Sequence, residues 1–274
     1  MDLKNTFTKT SMTGLALMLA SLLSATTATA NTQNEVSATV QDIEGFNDNF
    51  YTASYVRYLD SVKSDSGAYL INPYLQRVSS LFGGYARGGD RDALILGGTF
   101  YFNEQWSITA EGSYSELDNN YGDQESKFVK ASVGYNLSPE WQIGAGLQYI
   151  SFDYDLNFDG NVFDEEFSNT SPVAFTRYTT VGKTGTGWDL MLEFIEDDVD
   201  TYTGSARYFF SPGLSVAGTF EYTNLPSNYI DDKVAGVEVD YWFNEQFSVT
   251  AGYEKNTDSD ADDDVATLSA SYRF

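Results

Sequence analysis

From about residue 78 onward, apolar and polar residues alternate with a period of two, and the alternation breaks at short polar gaps that resemble one another. Four gaps align: Phe102-Asn-Glu-Gln-Trp106, Leu137-Ser-Pro-Glu-Trp141, Phe210-Ser-Pro-Gly-Leu214 and Phe243-Asn-Glu-Gln-Phe247. Each holds Asn, Ser, Pro or Gly between two alternating runs, which is the signature of a tight β-hairpin. A fifth gap, residues 183–187 before Trp188, fits the pattern less well. Longer polar stretches at 117–126, 156–169, 196–200, 226–232 and 256–264 read as loops, so short turns alternate with longer acidic connections.

The runs sort into two faces. After Trp106 one face carries Trp106, Ile108, Ala110, Gly112 and Tyr114, and the other carries Ser107, Thr109, Glu111 and Ser113. The strand before Phe247 sets Val237, Val239, Tyr241 and Phe243 against Glu238, Asp240 and Trp242, and the last strand sets Ala266, Leu268, Ala270, Tyr272 and Phe274 against Thr267, Ser269, Ser271 and Arg273. In a soluble sandwich the apolar face would be the core; in a membrane barrel it would meet lipid, with the polar face lining a lumen. Three features favour the membrane. Aromatics or Leu bracket the tight turns at one level, as an interfacial girdle does. The other face is rich in small polar residues. The apolar faces of these strands carry no Lys or Arg, which would cost about 2–4 kcal/mol at the bilayer midplane.

Composition extends this reading. Residues 1–30 combine Lys4 and Lys9, an apolar run and Ala28-Thr29-Ala30, as a secretory signal with its cleavage site does. No later stretch is long and apolar enough for a spanning helix. Beyond that segment the chain has 39 acids and 13 bases, since Asp2, Lys4 and Lys9 fall within it, so nucleic acid is not expected as a partner. There is no Cys, hence no disulfide staple, and no His, the commonest general base and metal ligand. The 20 Tyr and 19 Phe exceed what a soluble core of this size needs.

The ending Ala270-Ser271-Tyr272-Arg273-Phe274, a terminal Phe on an alternating strand, resembles the C-terminal signal of Gram-negative outer-membrane β-barrels that their assembly machinery recognises. With the signal segment and the repeated turns, the chain resembles bacterial porin-like barrels from about Arg77 to Phe274, and residues 59–88 are similar to the opening of porin families of proteobacteria. The resemblance implies the cell outer membrane, Tyr272 and Phe274 as the assembly signal, and lipid, lipopolysaccharide and the barrel assembly machinery as partners. It also puts the terminal Phe and the tight turns at the periplasmic side. The fold class expected is all-β: a transmembrane antiparallel up-and-down β-barrel of twelve strands, with fourteen as the alternative. Strands are expected near 78–88, 92–102, 106–115, 127–137, 141–153, 172–182, 188–196, 201–210, 214–224, 233–243, 247–255 and 265–274.

Two places strain the count. In 172–182, Val173, Phe175 and Val181 share parity with Arg177, and residues 50–60 are also strand-like. If 50–60 rises and 68–76 descends, the strands number fourteen, although Pro73 argues against an interior strand. Otherwise residues 31–76 form a periplasmic or lumen-entering segment ahead of a barrel at 77–274.

The chemistry available is narrow. The outer-membrane enzyme families, a phospholipase, an omptin-type protease and a palmitoyl transferase, resemble one another in relying on His, and a G-x-S-x-G elbow is also missing here. No enzymatic activity, cofactor or metal site is expected; the acidic run 258–264 lacks the turn Gly and distal Glu of an EF-hand loop and reads as solvated surface. Parity places Glu111, Asp189, Glu193, Glu221, Glu238, Asp240 and Glu254 inside, against Lys130, Arg207 and Arg273. Those ten residues are the candidate pore lining. They act either as a network that pins the wall or as a cation-attracting path. The function expected is a narrow, cation-preferring channel for passive diffusion of small solutes, against a closed structural or surface-interaction barrel.

Overall fold

The computed structural model describes residues 32–44, 48–64, 67–119, 122–158, 161–197, 200–224, 232–257 and 264–274. The signal segment and the acidic run 258–263 lie outside the described residues. Fourteen strands follow in chain order: β1 (Thr32–Ile43), β2 (Phe50–Val62), β3 (Ser80–Gly88), β4 (Arg91–Tyr101), β5 (Trp106–Asn119), β6 (Gly122–Asn136), β7 (Trp141–Phe158), β8 (Asn161–Thr179), β9 (Gly187–Ile195), β10 (Asp200–Ser211), β11 (Leu214–Asn224), β12 (Asp232–Trp242), β13 (Phe247–Asn256) and β14 (Val265–Arg273). Each pairs antiparallel with its neighbours, and β1 closes on β14 from Glu35 opposite Arg273 to Ile43 opposite Val265. Closure leaves no free edge, which a lipid-exposed sheet requires because an unpaired peptide group in hydrocarbon costs several kcal/mol.

The strand count is the alternative of fourteen, not twelve, but the extra pair differs from the one weighed above. Residues 32–43 supply a strand, β2 runs towards the tight-turn end and not away from it, and residues 68–76 are no strand. Their centre is one helical turn, α1 (Asn72–Leu75), started by Pro73 where a missing N–H costs nothing.

The repeated gaps owe their likeness to one hydrogen-bond solution. Asn103 Oδ1 accepts from the backbone N–H of Gln105 at 2.8 Å and Trp106 at 3.0 Å, and Asn244 Oδ1 does the same for Gln246 at 2.8 Å and Phe247 at 2.9 Å. Ser138 Oγ plays that part for Glu140 and Trp141. A short polar side chain thus satisfies donors that the turn strips of sheet partners. Around this turn end stand exposed Phe102, Trp106, Leu137, Trp141, Trp188, Phe210 and Phe243, with Trp106 on Tyr135 at 4.6 Å and Trp188 on Tyr208 at 4.9 Å between ring centroids. Amphipathic rings favour that interfacial level.

At the opposite, loop end the sheet runs further than the polar composition suggests. Residues expected as loops at 117–126 and 156–169 are mostly strand, with Asn119 opposite Gly122 and Phe158 opposite Asn161. β7 has 18 residues and β8 has 19, where a spanning strand needs about 9–11, so this hairpin stands far beyond the apolar band. Its register sets like charges side by side: Glu116, Glu125, Asp153 and Glu166 form one row across β5 to β8.

Candidate functional site: the barrel lumen

The inward face is built by parity. On β12, Val234, Gly236, Glu238, Asp240 and Trp242 point in while Ala235, Val237, Val239 and Tyr241 face out. The same alternation puts Glu111, Lys130, Asp189, Glu193, Arg207, Glu221, Glu254 and Arg273 on the lumen side of their strands. Charged residues that sequence reasoning missed join them, Arg177 and Glu35 among them. Arg177 on β8 shares the inward face with Val173 and Phe175, and Glu35 lies on a strand that was not expected. The signal for Arg177 was present in its shared parity; for Glu35 it was the alternation of Glu35, Ser37 and Thr39 with Val36, Ala38 and Val40.

Lys130, Arg177, Arg207 and Arg273 are taken up by neighbouring acids. Lys130 Nζ stands 3.2 Å from Glu111 directly across the β5–β6 ladder and 3.0 Å from Glu193 on β9. Arg177 holds Asp189 with a two-pronged bond, Nε to Oδ1 at 2.9 Å and Nη2 to Oδ2 at 2.8 Å. Arg207 pairs with Glu238 and donates to Ser215 Oγ at 2.9 Å. Arg273 Nε donates to Glu35 Oε2 at 2.6 Å, and the Tyr58 hydroxyl donates to the same oxygen at 2.8 Å. Asp240, 2% exposed, accepts from Thr250 Oγ1 at 2.7 Å.

Glu221 and Glu254 are arranged differently. They lie towards the loop end on β11 and β13, flanking β12, where Glu221 is opposite Val234 and Glu254 is opposite Gly236. Both are exposed to the lumen, and among the described residues neither forms an ion pair with Lys or Arg.

Residues 67–79, ahead of β3, fold into the turn end of the bore. Ala68, with 0% of its surface exposed, and Ile71 pack on Val181 and Phe209 from the wall, with Leu70 and Leu75 alongside. The Tyr69 N–H donates to the Pro212 carbonyl at 2.8 Å, its ring meets Trp242 edge-on at 6.2 Å, and its carbonyl accepts from Arg273 Nη1 at 2.6 Å. On the other side Arg77 Nη2 donates to the Pro139 carbonyl at 3.2 Å. Contacts with β8, β10, β12, β14 and the β6–β7 turn make this segment a bar across the bore. Gly67 permits its entry: its φ of +132° suits only glycine, and a Cβ there would lie 2.9 Å from Leu75 and 3.1 Å from the Gly182 carbonyl. Arg273 and Asp240, expected to line an open path, face inward but are covered at this end, and Arg273 is 4% exposed.

The combination of a closed sheet, an apolar belt, an aromatic girdle and a charged lumen agrees with a family model described as "Putative general bacterial porin", which matches residues 12–274. The chain belongs to that family. It is an outer-membrane β-barrel protein of the porin class, and its place is the bacterial outer membrane. No curated protein matches it. Among solved structures, this porin-family barrel is similar to the outer membrane protein Omp33 of Acinetobacter baumannii, at 18% identity over 89% of this chain and 99% of that one, with a TM-score of 0.66. It is similar also to the CymD monoaromatic hydrocarbon channel, at 10% identity over 90% of this chain and 89% of that one, with a TM-score of 0.56. Both likenesses are of fold.

Proposed function

We propose that this porin-family barrel is a narrow channel for passive diffusion of small solutes, with a preference for cations and no covalent chemistry. The observation that carries the reading is the pair Glu221 and Glu254, two lumen carboxylates with no ion pair to Lys or Arg among the described residues, while Lys130, Arg177, Arg207 and Arg273 sit on other acids. Carboxylates on a confined path attract cations more strongly than they would in bulk water. Narrowness is supported by the bar of residues 67–79 at the turn end, assigned to the periplasm by the terminal Phe. Lipopolysaccharide around the loop end of the outward face and the assembly machinery at the C-terminal strand are the partners proposed with it.

The test is conductance in planar bilayers under a potassium chloride gradient. The expected result is small, stable unitary steps whose reversal potential shows cation preference, reduced by Glu221→Gln with Glu254→Gln. Anion preference, or no change in the double variant, defeats the assignment. A second reading, a closed structural barrel, is favoured by the apolar contacts of Ala68 and Ile71 across the bore; a folded, heat-modifiable protein that stays silent in bilayers would establish it.

A further inference from the structure

Arg77 has φ +55°, and among the described residues it is the only non-glycine residue in the left-handed region. Its place explains the backbone. The Val78 N–H bonds the Pro73 carbonyl at 2.9 Å and the Arg77 N–H bonds the Tyr74 carbonyl at 3.1 Å, so Arg77 occupies the residue after the C-cap of α1 in a Schellman turn. Glycine is the usual occupant, because a Cβ is unfavourable there. A side chain kept at a glycine position points to something the side chain does.

What it does is reach off its own segment. The guanidinium donates to the Pro139 carbonyl in the β6–β7 turn and to the Tyr74 carbonyl, and it lies 4.4 Å from the Tyr74 ring centroid and 5.9 Å from that of Tyr101 on β4. Arg177 from β8 approaches the same Tyr74 ring at 3.6 Å, so one tyrosine of the segment is held by guanidinium groups from its own loop and from the wall. Among the described residues no carboxylate pairs with Arg77, so its charge balances no lumen acid. A planar fork that donates to two carbonyls and stacks on rings is a role that Lys does not reproduce.

We propose that Arg77 is the latch that fastens residues 67–79 across the turn end of the bore, and that its release frees the segment and widens the passage. The latch follows from contacts within the barrel alone; its control of passage rests on the channel reading above.

The chain has no cysteine, so Ala68→Cys introduces a single thiol at a fully covered position of the segment. Maleimide labelling of the folded full-length barrel is then compared in three backgrounds: Arg77, Arg77→Gly and Arg77→Lys. Arg77→Gly removes the strain together with the side chain, and Arg77→Lys keeps the charge and the left-handed residue. Labelling faster by about tenfold in both is the expected result, as for a local opening with its tie removed. Equal rates in all three backgrounds, or acceleration in Arg77→Gly with none in Arg77→Lys, overturns the latch. Bilayer conductance separates the second claim. A larger unitary step in Arg77→Gly supports control of passage, and an unchanged step with faster labelling refutes that control while the latch stands. Silence of wild type and variant alike, with faster labelling, counts against the channel reading and for the latch.

Discussion

Lys130 and Glu193 are separated by the two intervening strands β7 and β8, yet the ammonium meets the carboxylate at 3.0 Å. At about 4.8 Å per strand the two backbones stand some 14 Å apart along the wall, so both side chains must lean into the lumen and form a chord across it. With Glu111 on its other flank, Lys130 neutralises acids from two sectors of the barrel at once.

Lys130→Met leaves Glu111 and Glu193 half-buried without a cation. The expected loss is about 1–3 kcal/mol of unfolding free energy, the cost of orphaning partly buried charged groups. A lower unfolding midpoint in urea, followed by tryptophan fluorescence, checks it. Adding Glu193→Gln should recover part of the loss, and the single variant should show stronger cation preference than wild type. An unshifted midpoint means that the chord has no energetic role.

Glu125 sits between Glu116 and Asp153 in the outward row above the apolar band. Directly opposed like charges weaken a sheet and opposed unlike charges strengthen it, each by roughly 0.2–1 kcal/mol. Glu125→Lys loses an exposed 3.3 Å contact with Lys127 on the same strand, a pair of small worth, and turns two opposed like-charge pairs into unlike ones; the cross-strand gain should prevail and stabilise the extended hairpins, seen as slower amide exchange in β6 and β7. High salt should slow exchange in the wild type and have less effect in the variant, since screening relieves only the repulsive arrangement. Faster exchange in Glu125→Lys contradicts the register.

This row also shows where sequence reading ran out. A dense run of Asp and Glu reads as loop because charge is unfavourable in a membrane, but the hairpin lies beyond the membrane, where backbone pairing needs no apolar residue. β1 was missed for the opposite reason: its outward residues Val36, Ala38 and Val40 are small and no aromatic marks its ends. The segment 67–79 inverts the barrel rule by placing Ala68 and Ile71 inside the bore, so no period of two or 3.6 reports it. From Trp106 onward, where bulky outward residues alternate with small polar inward ones, the strands, their facing and most of the charged lumen were legible.

Asp264, at the loop end before β14, accepts hydrogen bonds from the Tyr253 hydroxyl and from Lys255 at 2.9 Å. The tyrosine bond first and the lysine second hold its carboxyl below the usual carboxylate range. A lowered folded value means that the contribution is present above the ordinary carboxylate pKa of about 4 and is lost as pH falls through the lowered value. The Glu44 N–H bonds the Asp264 carbonyl at 2.8 Å and reports on this corner. Its protection should exceed that of Asp264→Asn at pH 7, and the difference should vanish in strong acid. A difference that persists there removes the carboxylate from the explanation.

The Phe274 carbonyl accepts from the N–H groups of Gln33 at 3.0 Å and Asn34 at 2.9 Å, and the Phe274 N–H donates to the Asn34 carbonyl at 2.9 Å. Deleting Phe274 removes these seam bonds and the terminal ring together, whereas Phe274→Ala removes the ring alone. Both should lower the yield of heat-modifiable barrel in the outer membrane, the deletion more. Normal yield from Phe274→Ala would locate the whole effect in the backbone seam.

Arg273 stands next to the chain end, and its guanidinium joins Glu35 of β1, the Tyr69 carbonyl of the inner segment and the face of Trp242 at 4.3 Å. This imposes an order on biogenesis. Until β14 has found β1, more than two hundred residues away in the chain, Tyr69 lacks one of its ties and the bar across the bore cannot be completed. Narrowing of the bore at this end is therefore a late event in maturation, and a half-assembled cylinder is wider there than the finished one.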